Sequence, residues 1–411
     1  MGGGLLQLVS TGKQGIHLIG SPNISYFKQI YKKHTNFSIE TIPLQFNQDV
    51  DFGVKSVCPI GRHGDLLSKC FLEIILPDFE ENKVKTGADK YEWVNGIGNA
   101  LIKNIQLVIG GEIIDSMDGN LLDIYSEFFL EEGKKNTYHK LIGYHKSFDG
   151  IGDNDKAMRL YIPLEFWFCR HFGSSLPLVS MQYHDIEIRV EFRRFSECYS
   201  PSNANPKILH ITSCRLYADY IYLDIEERKE FAKQSHEYLI TQHQKNDNNS
   251  ITFSQKSIKI DLDFNHPVKS IFWFIKTLTS EKQNLWFDYY PRKNDDSILD
   301  KDFIDSIQIL LNGQERFQRR NGEFFRYIEP YKRCRNIPDN KSIYNYNFGI
   351  NTCQFQPSGF LNFSRIDNSQ INIDLINDID IKNETLYVTI YAMNYNILRV
   401  HSGMGGLLYK D

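Results

Sequence analysis

The sequence predicts an all-β protein made of two fused β-sandwiches. Three observations carry this expectation. The composition is heavy in aromatic residues and isoleucine, short strand-like runs alternate with turn signals along most of the chain, and one segment recurs about half a chain later. Many short strands with regular turns are the pattern of a sandwich or barrel.

Composition sets the outer limits. At roughly 150 residues per domain, 411 residues make two or three domains, and each half is long enough to bury a core. The 28 Phe and 23 Tyr suit a pleated, half-buried surface and oppose disorder, which goes with few aromatics and high net charge. The formal charge is only −4, with Lys and Arg scattered among acids. A nucleic-acid binder would show a basic face, so direct contact with nucleic acid is not expected. The seven cysteines are Cys58, Cys70, Cys169, Cys198, Cys214, Cys334 and Cys353. Their odd number and the lack of zinc-type spacing argue for free thiols in a reducing compartment. Residues 1–9 have no basic region followed by a long apolar run, so they do not read as a signal peptide. Gly2 is followed by Leu6 where a myristoylation signal has Ser or Thr. No stretch approaches 18 uninterrupted apolar residues. A protein made in the cytosol, or used in something assembled there, is expected.

Element by element, residues 1–24 read as a glycine-rich arm without clear period, of the kind that orders against a partner. Strands are then expected at 37–46, 66–76, 101–109, 160–168, 186–192 and 216–223. The segment 186–192 is the clearest, with Ile186, Ile188, Val190 and Phe192 on one face and Glu187, Arg189 and Glu191 on the other. Residues 77–92, 133–157 and 196–206 read as loops. Residues 226–234, dense in Glu, Lys and Arg, make the best short helix and mark the domain boundary. In the second half, strands are expected at 257–262, 268–275, 304–311, 371–375 and 386–391, with loops at 243–250, 290–301 and 338–351.

The recurring segment is Ile102 to Gly111 (IKNIQLVIGG), matched by Ile304 to Gly313 (IDSIQILLNG). Gly119 and Gly322 follow with a one-residue slip, each leading into an acidic and aromatic stretch. Periods of 20–50 residues would mean a solenoid. An offset of about half the chain means two copies of one domain.

Catalytic signatures are missing. There is no G-x-S-x-G elbow, no phosphate-binding P-loop and no H-E-x-x-H. His139 with His145, and His171 with His184, are pairs without the spacing of a metal site. Asp295-Asp296 reads as a solvated turn. In Pro357-Ser-Gly359, leading to Ser364, Arg365 and Asp367, the proline and glycine should shape a turn, with Arg365 and Asp367 making structural hydrogen bonds. The sequons at Asn23, Asn36, Asn248, Asn362 and Asn383 are expected by chance in so Asn-rich a chain. No catalytic, cofactor-binding or metal-binding residue is assigned. A carbohydrate-binding surface protein and a metal-dependent or glycosidic enzyme remain as competing readings.

Five segments also resemble the major capsid proteins of nucleocytoplasmic large DNA viruses, the phycodnavirus, iridovirus and mimivirus group. They are Gly2–Val9 running on to Tyr26–Phe37, Leu160–Arg170 (LYIPLEFWFCR) with Gln182-Tyr183-His184, Asp219–Arg228 (DYIYLDIEER) with Ser235–Ile240, Pro357–Asn368, and Asn394–Leu407. They span almost the whole chain in the family's order. The resemblance implies two tandem eight-stranded jelly rolls. It divides the chain into an arm at 1–24, a first roll at 25–225, a helical linker at 226–234 and a second roll at 235–411. It implies a structural virion protein, not an enzyme and without a cofactor, that forms a homotrimer of near-hexagonal outline. Its partners would be neighbouring capsomers and minor capsid proteins, contacted through residues 1–24. Any link to an internal viral membrane would be indirect, and assembly would take place in the host cytoplasm.

Overall fold

In the computed structural model, the described residues are 2–79, 91–144, 157–200, 206–294, 297, 302–338, 341–377 and 383–410. They fall into two units, residues 1–36 and 37–411. The first unit holds two short helices, α1 (Gly3–Val9) and α2 (Gly12–Ile19), where the sequence shows no clear period. Neither helix buries a residue, so Leu5, Leu8, Ile16 and Ile19 lie exposed.

Among the described residues, the second unit is built from two rounds of eight strands, with five further short strands at Glu92–Trp93, Tyr199–Ser200, Arg320–Asn321, Leu361–Asn362 and Met404–Leu407. The first round is β1 (Phe37–Leu44), β2 (Lys55–Pro59), β3 (Leu66–Leu76), β4 (Ile102–Ile109), β5 (Glu112–Met117), β6 (Met158–Pro163), β7 (Ile186–Phe192) and β8 (Ser213–Leu223). The second is β9 (His236–Thr252), β10 (Ser257–Asp261), β11 (Pro267–Thr277), β12 (Ile304–Leu311), β13 (Gln314–Glu315), β14 (Ile343–Asn347), β15 (Ser369–Leu375) and β16 (Thr385–His401). In each round two antiparallel sheets form along the same four-strand path, which in the second round Leu361–Asn362 and Met404–Leu407 extend to six strands in one sheet and Arg320–Asn321 to five in the other. The first roll pairs β1-β8-β3-β6 and β2-β7-β4-β5, and the second pairs β9-β16-β11-β14 and β10-β15-β12-β13. Every strand of the first roll thus has its counterpart eight strands later, which is the double jelly roll.

The recurring segment occupies one topological position in both rolls. Ile102–Ile109 is β4 and Ile304–Leu311 is β12, and each turns back through a two-residue hairpin. Both turn residues have positive φ, +58° and +84° at Gly110-Gly111, +50° and +77° at Asn312-Gly313. That is the type I′ geometry whose twist matches the flanking strands, and it selects Gly-Gly or Asn-Gly. The glycines with the one-residue slip correspond as well. A Cβ on Gly119 would lie 2.0 Å from the Asn99 carbonyl oxygen and 3.0 Å from that of Ile102. One on Gly322 would lie 2.5 Å from the carbonyl oxygen of Ile304, the residue equivalent to Ile102. At both places the chain crosses the start of its strand too closely for a side chain.

Strand β7 alternates as expected, burying Ile186, Ile188, Val190 and Phe192. Three loop assignments are corrected. Residues 133–157 contain a helix, Glu132–Leu141, while 145–156 lie outside the described residues. Its charged, nearly apolar-free sequence hides it: only Tyr138 is buried. The Asn-rich run 243–250 continues β9 as a strand, with a register shift between Asn246 and Asn249 where it pairs with β16. Such a bulge accommodates residues a regular ladder would reject. Within 338–351, the fully buried strand β14 is, after Ile343, built of Tyr and Asn in place of aliphatic residues. Of 290–301, residues 295, 296 and 298–301 lie outside the description.

Between the rolls, the acid-capped helix Ile225–Lys233 joins β8 to β9, with Asp224 accepting the Ile225 N–H. It buries no residue.

Candidate functional site

Side chains of both rolls meet along the seam between them. Its basis is β11. Ile271, Trp273 and Ile275 face the core of the second roll, while Phe272 and Phe274 belong to the core of the first. Because side chains alternate across a strand, one strand serves two cores. This is why its centre, Ile271–Ile275 (IFWFI), reads as an unbroken apolar run, as strands covered on both faces do. Strand β16 is shared in the same way, with Val388 and Ile390 turned to its own roll and Tyr391 and Met393 to the other.

From the first roll the seam receives β5 and a helix, α3 (Gly119–Phe129). The helix starts where Asp118 accepts the Leu121 N–H at 2.9 Å, satisfying one of the free N–H groups of its first turn. The same carboxylate accepts the Tyr391 hydroxyl at 2.7 and 2.8 Å and lies 3.1 Å from Lys245. At the other end, the Phe128 carbonyl accepts the backbone N–H groups of Arg335 and Asn336, each at 3.2 Å. Both helix ends are therefore tied to the opposite roll, the first through the capping Asp118 and the second directly. Between them, Phe128 packs on Phe272 with ring centroids 5.3 Å apart.

A buried charge cluster lies alongside. The Lys341 amine contacts both Asp123 oxygens at 2.6 and 2.7 Å and Glu127 at 3.1 Å, and Lys135 reaches Glu127 at 2.7 Å. Burial alone would lower the pKa of Lys341, but Asp123 and Glu127 outweigh it and hold the amine above its ordinary value. Burial would likewise raise Glu127, but its two lysines hold it below the usual carboxylate range. Asp123, buried with one lysine and an acidic neighbour, is pushed up. Further along, Asp115 accepts the His243 backbone N–H at 3.0 Å, and the Gln242 amide reaches the Ile114 carbonyl at 2.5 Å.

A cleft of about 530 Å³ opens in the seam, lined by Tyr125, Phe129 and Arg170 of the first roll and Lys269, Cys353 and Tyr395 of the second. Arg170 bonds Thr241 at 3.0 Å and stacks on the Tyr125 ring at 4.3 Å. Lys269 donates to the Thr352 carbonyl at 3.2 Å, and burial brings its pKa down to about 7. Glu165, 3.9 Å from Arg170, is pushed up to about 7 by burial.

These features join two domains and show no reaction centre. Among the described residues no group of three or more His, Cys, Asp or Glu could hold a metal ion. The comparisons with known proteins point the same way. Residues 25–224 match the family described as major capsid protein N-terminus, and residues 227–406 match large eukaryotic DNA virus major capsid protein. The major capsid protein of Pyramimonas orientalis virus is 36% identical, with both chains covered in full. The chain belongs to the major capsid proteins of large eukaryotic DNA viruses. The major capsid protein of Paramecium bursaria Chlorella virus 1 is 33% identical, again over the whole of both chains. A chain of the quasi-atomic PBCV-1 virus capsid superposes with a TM-score of 0.79 at 27% identity, covering 94% of this chain and 100% of that one.

The residues weighed from sequence take structural places in this capsid protein. His171 accepts the Gly173 N–H and stacks on Phe355, while His184 bonds the Gly405 carbonyl at 2.8 Å, so each has its own partner. His139 stacks on Tyr144, and His145, Asp295 and Asp296 lie outside the described residues. The turn after Gly359 is held by other groups than expected. The Ser364 hydroxyl accepts the His266 N–H, Asn362 accepts the Ser364 N–H, and Asn312 accepts the Asn368 N–H, in place of bonds from Arg365 and Asp367. Sequence reading missed the seam residues Asp118, Asp123, Lys341 and Tyr391. Asp118 before GNLLDIYSEFF did carry a signal, since an acid ahead of apolar residues at helical spacing marks an N-terminal cap.

The protein is a structural component of the virion capsid and not an enzyme.

Proposed function

We propose that three copies of this capsid protein associate into a capsomer of pseudo-hexagonal outline, and that such capsomers tile an icosahedral shell. The observation that carries the reading is the duplication. Two rolls of identical topology in one chain become six similar wedges in a trimer, and six similar wedges fill a hexagonal lattice. Interfaces within a stable trimer should bury on the order of 2,000 Å² or more and centre on aromatic anchors. Exposed Tyr183, Tyr331 and Phe360 are available for that role. Lateral contacts between capsomers are heterologous and must close geometrically into a shell.

The division into an arm at 1–24, rolls at 25–225 and 235–411 and a linker at 226–234 belongs to the same reading. The helix Ile225–Lys233 between β8 and β9 supports it. The arm would engage neighbouring capsomers or minor capsid proteins, and its support is the exposed apolar surface of α1 and α2. Contact with nucleic acid is not part of the proposal, any internal membrane is reached only indirectly, and assembly occurs in the host cytoplasm.

Light scattering after size exclusion tests it. A species of three times the chain mass, with hexagonal outlines in electron micrographs, is the expected result. A strict monomer at high concentration would overturn it. Removing residues 1–24 should leave trimers intact and impair shells, and normal shells from the shortened chain would refute the role of the arm.

A further inference from the structure

The seven cysteines sort into two different kinds of neighbourhood. Cys70 and Cys169 are neighbours that both donate to the Ser68 carbonyl, at 3.8 and 3.7 Å. This pair lies inside the first core. Cys334 and Cys353 also lie side by side, with the Cys353 thiol donating to the Arg333 carbonyl at 3.8 Å, but both are only partly buried. Cys353 lines the open seam cleft.

The surroundings of the second pair favour a thiolate. The Arg335 backbone N–H points at the Cys353 sulfur, Cys334 lies beside it, and the charges of Lys269 and Arg335 lie nearby. Burial opposes these groups, yet the Cys353 thiol is lowered to about 7, while burial raises Cys58 to about 12. Thiolate character together with access is what makes a cysteine reactive. Cys334 is placed to follow. Its sulfur is held by the Asn345 and Asn347 side chains of β14, at 3.6 and 3.7 Å.

We propose that Cys353 and Cys334 form a thiol–disulfide exchange site, in which Cys353 is modified by low-molecular-weight disulfides and Cys334 resolves the adduct into an intrachain disulfide. The Cys353 thiolate attacks one sulfur of the small disulfide. A protein–thiol mixed disulfide forms and one thiolate leaves. Cys334 gives up its proton and attacks the Cys353 sulfur, forming the Cys334–Cys353 bond and expelling the second thiolate. Two protein thiols are oxidised, and one small disulfide is reduced to two thiols, which carry the protons away. The bond would tie the end of helix Glu329–Arg333 to the loop after β14, closing a loop that contains the whole of that strand.

The test uses the full chain in its native assembly, with oxidised glutathione as the probe and peptide mass mapping after alkylation. The expected product is a cross-linked Cys334–Cys353 peptide, with Cys58, Cys70 and Cys198 still reduced. At pH 7.5 Cys353 should alkylate at least about tenfold faster than Cys58. In Cys334→Ser the reaction should stop at a glutathione adduct on Cys353. Two results would overturn the proposal: both thiols staying free while a control dithiol peptide oxidises, or the Cys70–Cys169 pair cross-linking first. The mapping on the unsubstituted chain decides between these outcomes even if the variant fails to fold.

Discussion

The hydroxyl of Tyr391 donates to the carboxylate of Asp118 across the seam, 273 positions away in sequence, while that carboxylate also caps the helix that follows it. One acidic group thus fixes both a local helix start and the contact between two domains. Tyr391→Phe should cost about 1–3 kcal/mol, the range for leaving a buried polar partner unsatisfied. Asp118→Ala should cost more, because the cap and the Lys245 ion pair go with it. Denaturant midpoints of the two single variants and the double variant form a cycle. A strictly additive double variant would mean that the two groups do not interact.

The two crossing glycines make a comparative prediction. Gly119→Ala and Gly322→Ala each drive a methyl group into a backbone carbonyl and should destabilise by about 3 kcal/mol or more, since overpacking costs roughly 1–3 kcal/mol where side chains can still adjust. Gly313→Ala meets nothing within 4 Å and has φ +77°. It should lose only the left-handed backbone term of about 1–2 kcal/mol. Equal effects at the three positions, measured by thermal unfolding, would contradict the packing account.

Removing the shared cation of the buried cluster should be severe. Lys341→Met leaves Asp123 and Glu127 facing each other without it, and breaking a buried ion pair costs about 3–5 kcal/mol. Lys103→Met, which removes an exposed partner of Glu191, should change stability by less than about 1 kcal/mol. Comparing the two urea midpoints checks the contrast.

Near the seam cleft the pH dependence has two limbs. Glu165 is raised by burial to about 7, so the folded state holds its proton more tightly than the unfolded state. The stability this contributes is complete below about pH 4.5 and is lost as pH rises through 7. Lys269 is lowered by burial to about 7, so the unfolded state binds more protons between about 7 and 10.5. Stability should therefore rise with pH across that window. Each limb is worth at most a few kcal/mol, less for Glu165, whose side chain keeps 20% exposure. Glu165→Gln should be more stable than the parent at pH 7.5 and equal to it near pH 4. Lys269→Met should flatten the alkaline limb. Unfolding midpoints from pH 4 to 10 that keep a constant offset between variants and parent would count against both assignments.

The sequence made the strands legible where one face is wet. Ile186–Phe192 alternates because water covers one side of it, and its limits agree with the reading. The IQ-containing repeat also pointed to duplication, because a type I′ hairpin admits so few residues that both copies kept a glycine at its second position. Strands whose polar residues are buried stayed hidden. In β14, Asn345 and Asn347 are buried against Cys334 and Thr352, and nothing local says that such asparagines lie inside. The seam was invisible for a related reason. Lys269 and Lys276 in β11 read as the polar positions of a strand, yet both are buried at the seam, Lys276 against Asn120 of the other roll.

Because β11 and β16 turn one face to each roll, the second roll cannot hide all its apolar surface by folding alone. Synthesis runs from the N-terminus, so the roll that covers that face emerges from the ribosome first and can be in place when β11 follows. Chains generally acquire their domains in this order, and exposed apolar sheet is what drives misassembly. With the covering domain upstream, the vulnerable face need only be bare for the time the chain takes to collapse onto a neighbour already made. With the order reversed, it would stand uncovered for as long as the ribosome needed to finish.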